Sequence, residues 1–161
     1  MTPEPTIRSA TPDDAATIHG FVHRLESHVH GDPDMPATVG DIAAALSARP
    51  PALNAELLER GGRPCAMATW YPVYSTSMGC GGIFVLDLYV DAAERGRGLG
   101  RRLLSHMAEM AQRRGDGFLK LEVDRSNDDA AAVYERLGFT ASTSRPLLLT
   151  GAALARLVGR G

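Results

Sequence analysis

The chain has 161 residues, a net charge of −2, 44% hydrophobic residues and 22% charged residues. This is the length and balance of one globular domain with one core, and it excludes a protein held to nucleic acid by a broad basic surface. The two cysteines, Cys65 and Cys80, form neither a metal-ligand spacing nor a disulfide framework, so free thiols in a reducing compartment are expected. The opening "MTPEPTIRSATPDD" has no basic region followed by an apolar one, and no apolar run is long enough to span a bilayer. The expectation is one cytoplasmic domain over residues 1–161, with no membrane and no nucleic acid as partner.

Ile7 and Arg8 open a short first strand. "TPDD", Thr11 to Asp14, supplies a capping residue, a proline and two carboxylates where a helix exposes its first N–H groups. Ile18, Phe21, Val22, Leu25 and Val29 then repeat at helical spacing, until Gly and Pro in "HGDPDMP", His30 to Pro36, break the pattern. Thr38 to Ser47 reads as a second helix, stopped by "RPP", Arg49 to Pro51. A hairpin follows, with Gly61-Gly62 as its turn. "TSMGCGG", Thr76 to Gly82, reads as the next turn, and "IFVLDLYV", Ile83 to Val90, as a central strand covered on both faces. Leu99, Leu103, Met107 and Met110 mark a helix that ends at "GDG", Gly115 to Gly117. "FLKLEV" reads as a strand, Ser126 to Phe139 as a capped helix with Gly138 as its stop, "RPLLLT" as a last strand, and "GAALARLVGR" as a tail helix. The order mixes α/β units with antiparallel hairpins.

The junction "RGRGLGRRLL", Arg95 to Leu104, carries the chemistry. A strand that turns directly into a helix exposes the helix's first N–H groups, which together with the helix dipole favour an anion. Gly98 and Gly100 let a ligand approach the backbone, and Arg95, Arg97 and Arg101 add charge and forked donors. A phosphorylated cofactor, most simply a pyrophosphate, fits this pattern. Arg101 stands where a Rossmann fingerprint needs its third glycine, and no Lys-Ser or Lys-Thr follows as in a P-loop. The plainer alternative is a helix start that needs flexible residues, with solvated arginines. Downstream, Asn127, Ala130, Ala131 and Tyr134 recur at helical spacing, so Asn127 and Tyr134 can share a face. A core aromatic is the plainer reading of Tyr134.

Together these segments resemble the GNAT superfamily of acyl-CoA-dependent N-acyltransferases. Arg95-Gly96-Arg97-Gly98-Leu99-Gly100 matches the family's Gln/Arg-x-x-Gly-x-Gly/Ala loop, and Asn127, Tyr134 and "LGF", Leu137 to Phe139, match its second motif. The likeness covers nearly the whole chain, and "WYPVYST…GIFVLDLYV" is similar to the diamine and polyamine acetyltransferase subgroup. It implies a GNAT fold: a mixed, mostly antiparallel sheet of 6–7 strands, helices on both faces, and a splay at the acyl-CoA site. It implies acetyl-CoA as donor, a small-molecule amine as acceptor, a homodimer and no metal. It also implies roles. Backbone groups of Leu88, Tyr89 and Val90 would meet the acetyl and pantetheine parts. The loop from Gly96 to Arg101, with Arg95 and Leu99 in its motif, would hold the pyrophosphate. Asn127 and Ala130 would line the lower cofactor arm, and Tyr134 would protonate the departing thiolate.

The subgroup usually has a Glu immediately before the aspartate of the central strand, and here that position is Leu86. Strand alternation turns Leu86 and Asp87 to opposite faces, so Asp87 does not simply replace that carboxylate. Glu26, Asp87 and Glu122 stay open as the base, and Glu26, Ser27, Leu86 and Glu122 are the expected acceptor-side residues. His19 and His23 lie one helical turn apart, and His28, His30, Asp32 and Asp34 share a loop. They read as a solvated face and loop, whose acids would attract a cationic amine. A protein or peptide N-acetyltransferase and an acyl-CoA sensor without catalysis are the rival readings.

Overall fold

The computed structural model describes residues 3–31 and 34–159. They fall into two compact units, one ending at Asn127 and the other beginning at Asp128. The first unit contains a five-stranded sheet in the order β1-β2-β3-β4-β5, made of Thr6–Ser9, Asn54–Arg60, Arg63–Ser75, Cys80–Val90 and Phe118–Leu121. The first four strands pair antiparallel, and β5 joins β4 in parallel. The sheet is mixed and mostly antiparallel as expected, with five strands among the described residues rather than six or seven.

Helices cover both faces of this sheet. A single turn of 3-10 helix, Pro12–Asp14, leads into α1, Ala15–His30, and α2 spans Val39–Ser47. Thr38 caps α2: its hydroxyl accepts the Asp41 N–H at 3.1 Å, while the Asp41 carboxylate accepts the Thr38 N–H at 2.8 Å. Ile18 and Phe21 of α1 and Ile42 and Leu46 of α2 pack with Leu57, Met67 and Tyr89 of the sheet. On the opposite face α3, Leu99–Arg114, buries Leu103, Leu104 and Met107. Helical spacing in the sequence therefore marks the buried stripe of each helix.

The hairpin between β2 and β3 turns at Gly61-Gly62 as expected. The next turn is shorter than the sequence suggested, because Cys80, Gly81 and Gly82 already belong to β4. Gly82 pairs with Phe118, and a Cβ there would lie 2.5 Å from the Phe118 ring, so this glycine serves close strand packing and not a turn.

In the second unit α4 covers Asp128–Arg136 and α5 covers Gly151–Leu157. The last residues read as tail helix, together with Asp32, lie outside the described residues. "RPLLLT" is not a strand: residues 145–150 have no regular pairing, and Leu147 and Leu148 are 86% and 89% exposed. β propensity describes fit to a partnered surface, and among the described residues no strand pairs with this segment, whose second residue, Pro146, has no N–H to offer.

Candidate functional site

β5 accompanies β4 only from Gly82 to Val85, where Val85 pairs with Leu121. Beyond that point no strand among the described residues pairs with the β4 edge that faced β5, which is the splay expected from the resemblance. Asp91 N–H donates to the Cys65 carbonyl at 2.9 Å, and the pairing continues with Val90 opposite Ala66 and Tyr89 opposite Met67. Antiparallel alternation then points the backbone groups of Leu88 and Val90 to the open edge, while those of Tyr89 face β3. The Tyr89 side chain is buried, and its hydroxyl donates to Asp91 at 3.1 Å. Arg24 of α1 lies over the Phe21 and Tyr89 rings and reaches Asp91 at 2.9 Å, which clamps α1 to the end of β4.

The open edge runs into the glycine loop. Gly96 and Gly98 have φ of 74° and 75°, in the left-handed region that side chains rarely adopt, and a Cβ at either would meet nothing within 4 Å. Gly98 stands at the N-cap of α3 with no side chain hydrogen-bonded as a cap to the first turn of the helix. A Cβ on Gly100 would sit 3.8 Å from Val90 and 3.9 Å from Leu88, so the first helical turn rests on the open part of β4. The left-handed glycines and the uncapped helix start offer donors of the type a pyrophosphate takes. The arginines divide their tasks. Arg95 turns back and donates from Nε to the Val90 carbonyl at 3.1 Å. Arg97 lies 3.8 Å from Glu94, which is also 3.5 Å from Arg60. Arg101 is exposed on the first turn of α3, where Leu99 is the buried anchor.

A break in the β3–β4 ladder shapes the acceptor side. Thr69 pairs with Asp87 and Trp70 with Val85, so Leu86 is the unpaired residue of a bulge and is 50% exposed. Plain alternation between Leu86 and Asp87, expected from the sequence, is interrupted here. Asp87 is half-buried, and its carboxyl is raised above the ordinary range, first by burial and then by the Glu26 carboxylate on α1, with the Thr69 hydroxyl opposing. Glu26 is 3.7 Å from His30, which is 4.0 Å from Asp124. The Ser27 hydroxyl turns inward and donates to the His23 carbonyl at 2.8 Å. Glu122 is exposed just past the end of β5. A cleft of about 190 Å³, lined by His28, Val29, Ser126 and Asn127, opens beside the last turn of α1. His19 donates to the Ala37 carbonyl at 2.8 Å, and among the described residues no three His, Cys, Asp or Glu side chains are arranged to hold a metal ion. Thr69, Arg24, Asp91 and Asp124 were not singled out by the sequence, because their relation to the site is made by strand and helix pairing across long separations.

Tyr134 lies on α4, with Ala130 one turn earlier. "LGF" closes this helix: the N–H groups of Leu137 and Phe139 both donate to the Tyr134 carbonyl at 3.0 Å. The Phe139 ring meets the Tyr134 ring edge-on, with centroids 5.8 Å apart, and burial pushes the phenol above its ordinary value.

Over 53 residues the chain is 45% identical to the streptothricin acetyltransferase of Streptomyces lavendulae, which is 33% of this chain and 28% of that protein. Over 61 residues it is 43% identical to the ribosomal protein bS18-alanine N-acetyltransferase of Escherichia coli K12, 38% of this chain and 41% of that one. The matched stretches thus span less than half the length of these relatives. An integron cassette protein from the mobile metagenome of V. cholerae has the same fold, with a TM-score of 0.78 at 21% identity over 96% of this chain and 97% of that one. Residues 18–139, which include the open strand edge, the glycine loop and the Asn127–Phe139 segment, match the acetyltransferase (GNAT) family, and the chain belongs to that family.

Proposed function

We propose that residues 1–161 form one acetyl-CoA-dependent N-acetyltransferase domain that acts on the primary amine of a small molecule, such as a diamine or an amino acid. The observation that carries this reading is the open edge of β4 between Leu86 and Val90, which has the glycine loop at one end and Asp87 with Glu26 at the other. Bound acetyl-CoA supplies a thioester carbonyl for attack and a thiol as leaving group. The chain's own residues do the rest. First-turn N–H groups of α3, with Gly96 to Arg101, bind the pyrophosphate, and Asn127 and Ala130 line the lower arm. Leu88 and Val90 orient the thioester end through their backbone. Asp87 takes the proton that the acceptor ammonium must shed before its nitrogen attacks. Tyr134 gives its proton to sulfur as the C–S bond breaks, and the second proton, which the nitrogen sheds as the amide C–N bond forms, returns through solvent to the phenolate; the ammonium thus loses two protons, one to Asp87 and one that replaces the proton delivered to the thiolate.

The likeness to the diamine and polyamine subgroup, the homodimer common there and a cytoplasmic location belong to the same reading. The 43% identity to a ribosomal-protein alanine acetyltransferase favours a second one, transfer to the N-terminus of a protein. An acyl-CoA sensor without turnover is the outcome if no acceptor releases thiol. Thiol release from acetyl-CoA, measured against diamines, amino acids, amino sugars and short peptides, decides between them. The proposal expects the highest kcat/KM on a small amine, and faster turnover of peptides than of every small amine would replace it with the second reading.

A further inference from the structure

Thr69 sits in the middle of β3 with 1% of its surface exposed, opposite Asp87 and beside the bulge at Leu86. Its hydroxyl makes two bonds to that one residue. The oxygen accepts the Asp87 backbone N–H at 3.1 Å, and the hydroxyl proton goes to Asp87 Oδ2 at 2.5 Å. A hydroxyl has a single proton, so accepting from the amide leaves the carboxylate as the direction of its donation. Packing alone does not call for this group, since a valine has the same shape and would bury no polar atom.

We propose that Thr69 is the positioning residue of the acceptor site: it pins Asp87 Oδ2 inside the strand ladder so that Oδ1 is the oxygen that takes the amine proton. The inference rests on the reading of Asp87 as the base and adds what orients it. The other groups around Asp87 act differently. Burial and the negative charge of Glu26, which faces it from α1, favour the neutral acid. His30, one turn further along α1, lies between Glu26 and Asp124. Tyr89, two residues along β4, turns its hydroxyl to Asp91. Thr69 is the group that favours the carboxylate over the acid.

The test compares Thr69→Val, which removes both hydrogen bonds, with Thr69→Ser, which keeps the hydroxyl. Two quantities are read: kcat/KM against pH with acetyl-CoA and the best small amine, and the pH titration of the Asp87 carboxyl carbon by NMR, assigned with Asp87→Asn. In the Val variant the acid limb of the profile and the carboxyl titration both move to higher pH. On that limb kcat/KM falls by about tenfold, as expected for one hydrogen bond to a charged group, and the alkaline plateau falls by a smaller factor, because an unpinned carboxylate presents Oδ1 to the amine less often. Thr69→Ser restores the wild-type limb. An unmoved limb and carboxyl titration in folded Thr69→Val overturns the inference. So does a loss that is uniform in pH and not restored by serine, which marks packing alone. Wild-type kcat/KM in Asp87→Asn would instead remove Asp87 as the base, and the carboxyl titration of Thr69→Val then reads the Thr69 contact by itself.

Discussion

Tyr134 and Asp87 are driven the same way by burial and to different ends. Burial holds the proton on the Tyr134 phenol through the neutral range, which suits a donor to a departing thiolate. It also raises the proton affinity of the Asp87 carboxyl, which suits an acceptor of a proton from an ammonium group. Tyr134→Phe keeps the ring and its edge-on contact with Phe139 but removes the proton. Its kcat is expected to fall on the order of 10²-fold with little change in acetyl-CoA affinity. Steady-state kinetics under conditions where chemistry limits the rate check this, and an unchanged kcat would leave Tyr134 as a packing residue. Tyr134 was legible because its helix carries a motif at fixed spacing. Thr69 was not, since one threonine in an apolar strand gives no sign of the residue across the ladder. Glu56 is a similar case: it is 3% exposed and bonded to Ser9 and Trp70, although nothing next to it in the sequence marks it as buried.

At the scale of elements, the glycine loop was the clearest sequence signal, because a left-handed backbone at a helix start is nearly restricted to glycine. The bulge at Leu86 left no such trace: a strand apolar on both faces has no period for a register slip to interrupt. The exposed segment 145–150 shows the reverse error, since strand-like composition does not supply a partner strand. The start of the chain is held by charge. Arg8 on β1 grips both oxygens of Asp14 at 2.8 Å and Glu59 on β2 at 2.8 Å. The Arg8 hydrogen bonds lower the Asp14 carboxyl from 3.8 to about 2. A carboxyl lowered by folding adds stability above its unfolded value and loses it as pH falls through the folded one. The urea midpoint of wild type should therefore exceed that of Asp14→Asn above about pH 4, and the gap should close toward about pH 2. A gap that does not change with pH would contradict this assignment.

At the scale of the whole chain, the sheet keeps two tasks apart. Its α1–α2 face carries Asp87 and Glu26, and its α3 face carries the glycine loop and the first-turn N–H groups. They meet where β5 leaves β4 and the strand edge is open. The element order foretold a mix of α/β units with antiparallel hairpins and the family resemblance foretold the helices on both faces, whereas the identity of the acceptor depends on side chains brought together by the bulge and by the last turn of α1. The central claim is that the loop from Arg95 to Arg101 is the acyl-CoA site. Calorimetric titration of acetyl-CoA into wild type, Gly98→Ala and Gly98→Glu tests it most directly. Alanine adds backbone strain at a φ of 75° without charge, and glutamate adds the same strain and a negative charge against the pyrophosphate. Saturable binding is expected in wild type, a modest loss in Gly98→Ala and no measurable binding in folded Gly98→Glu. Wild-type affinity in folded Gly98→Glu would contradict the central claim.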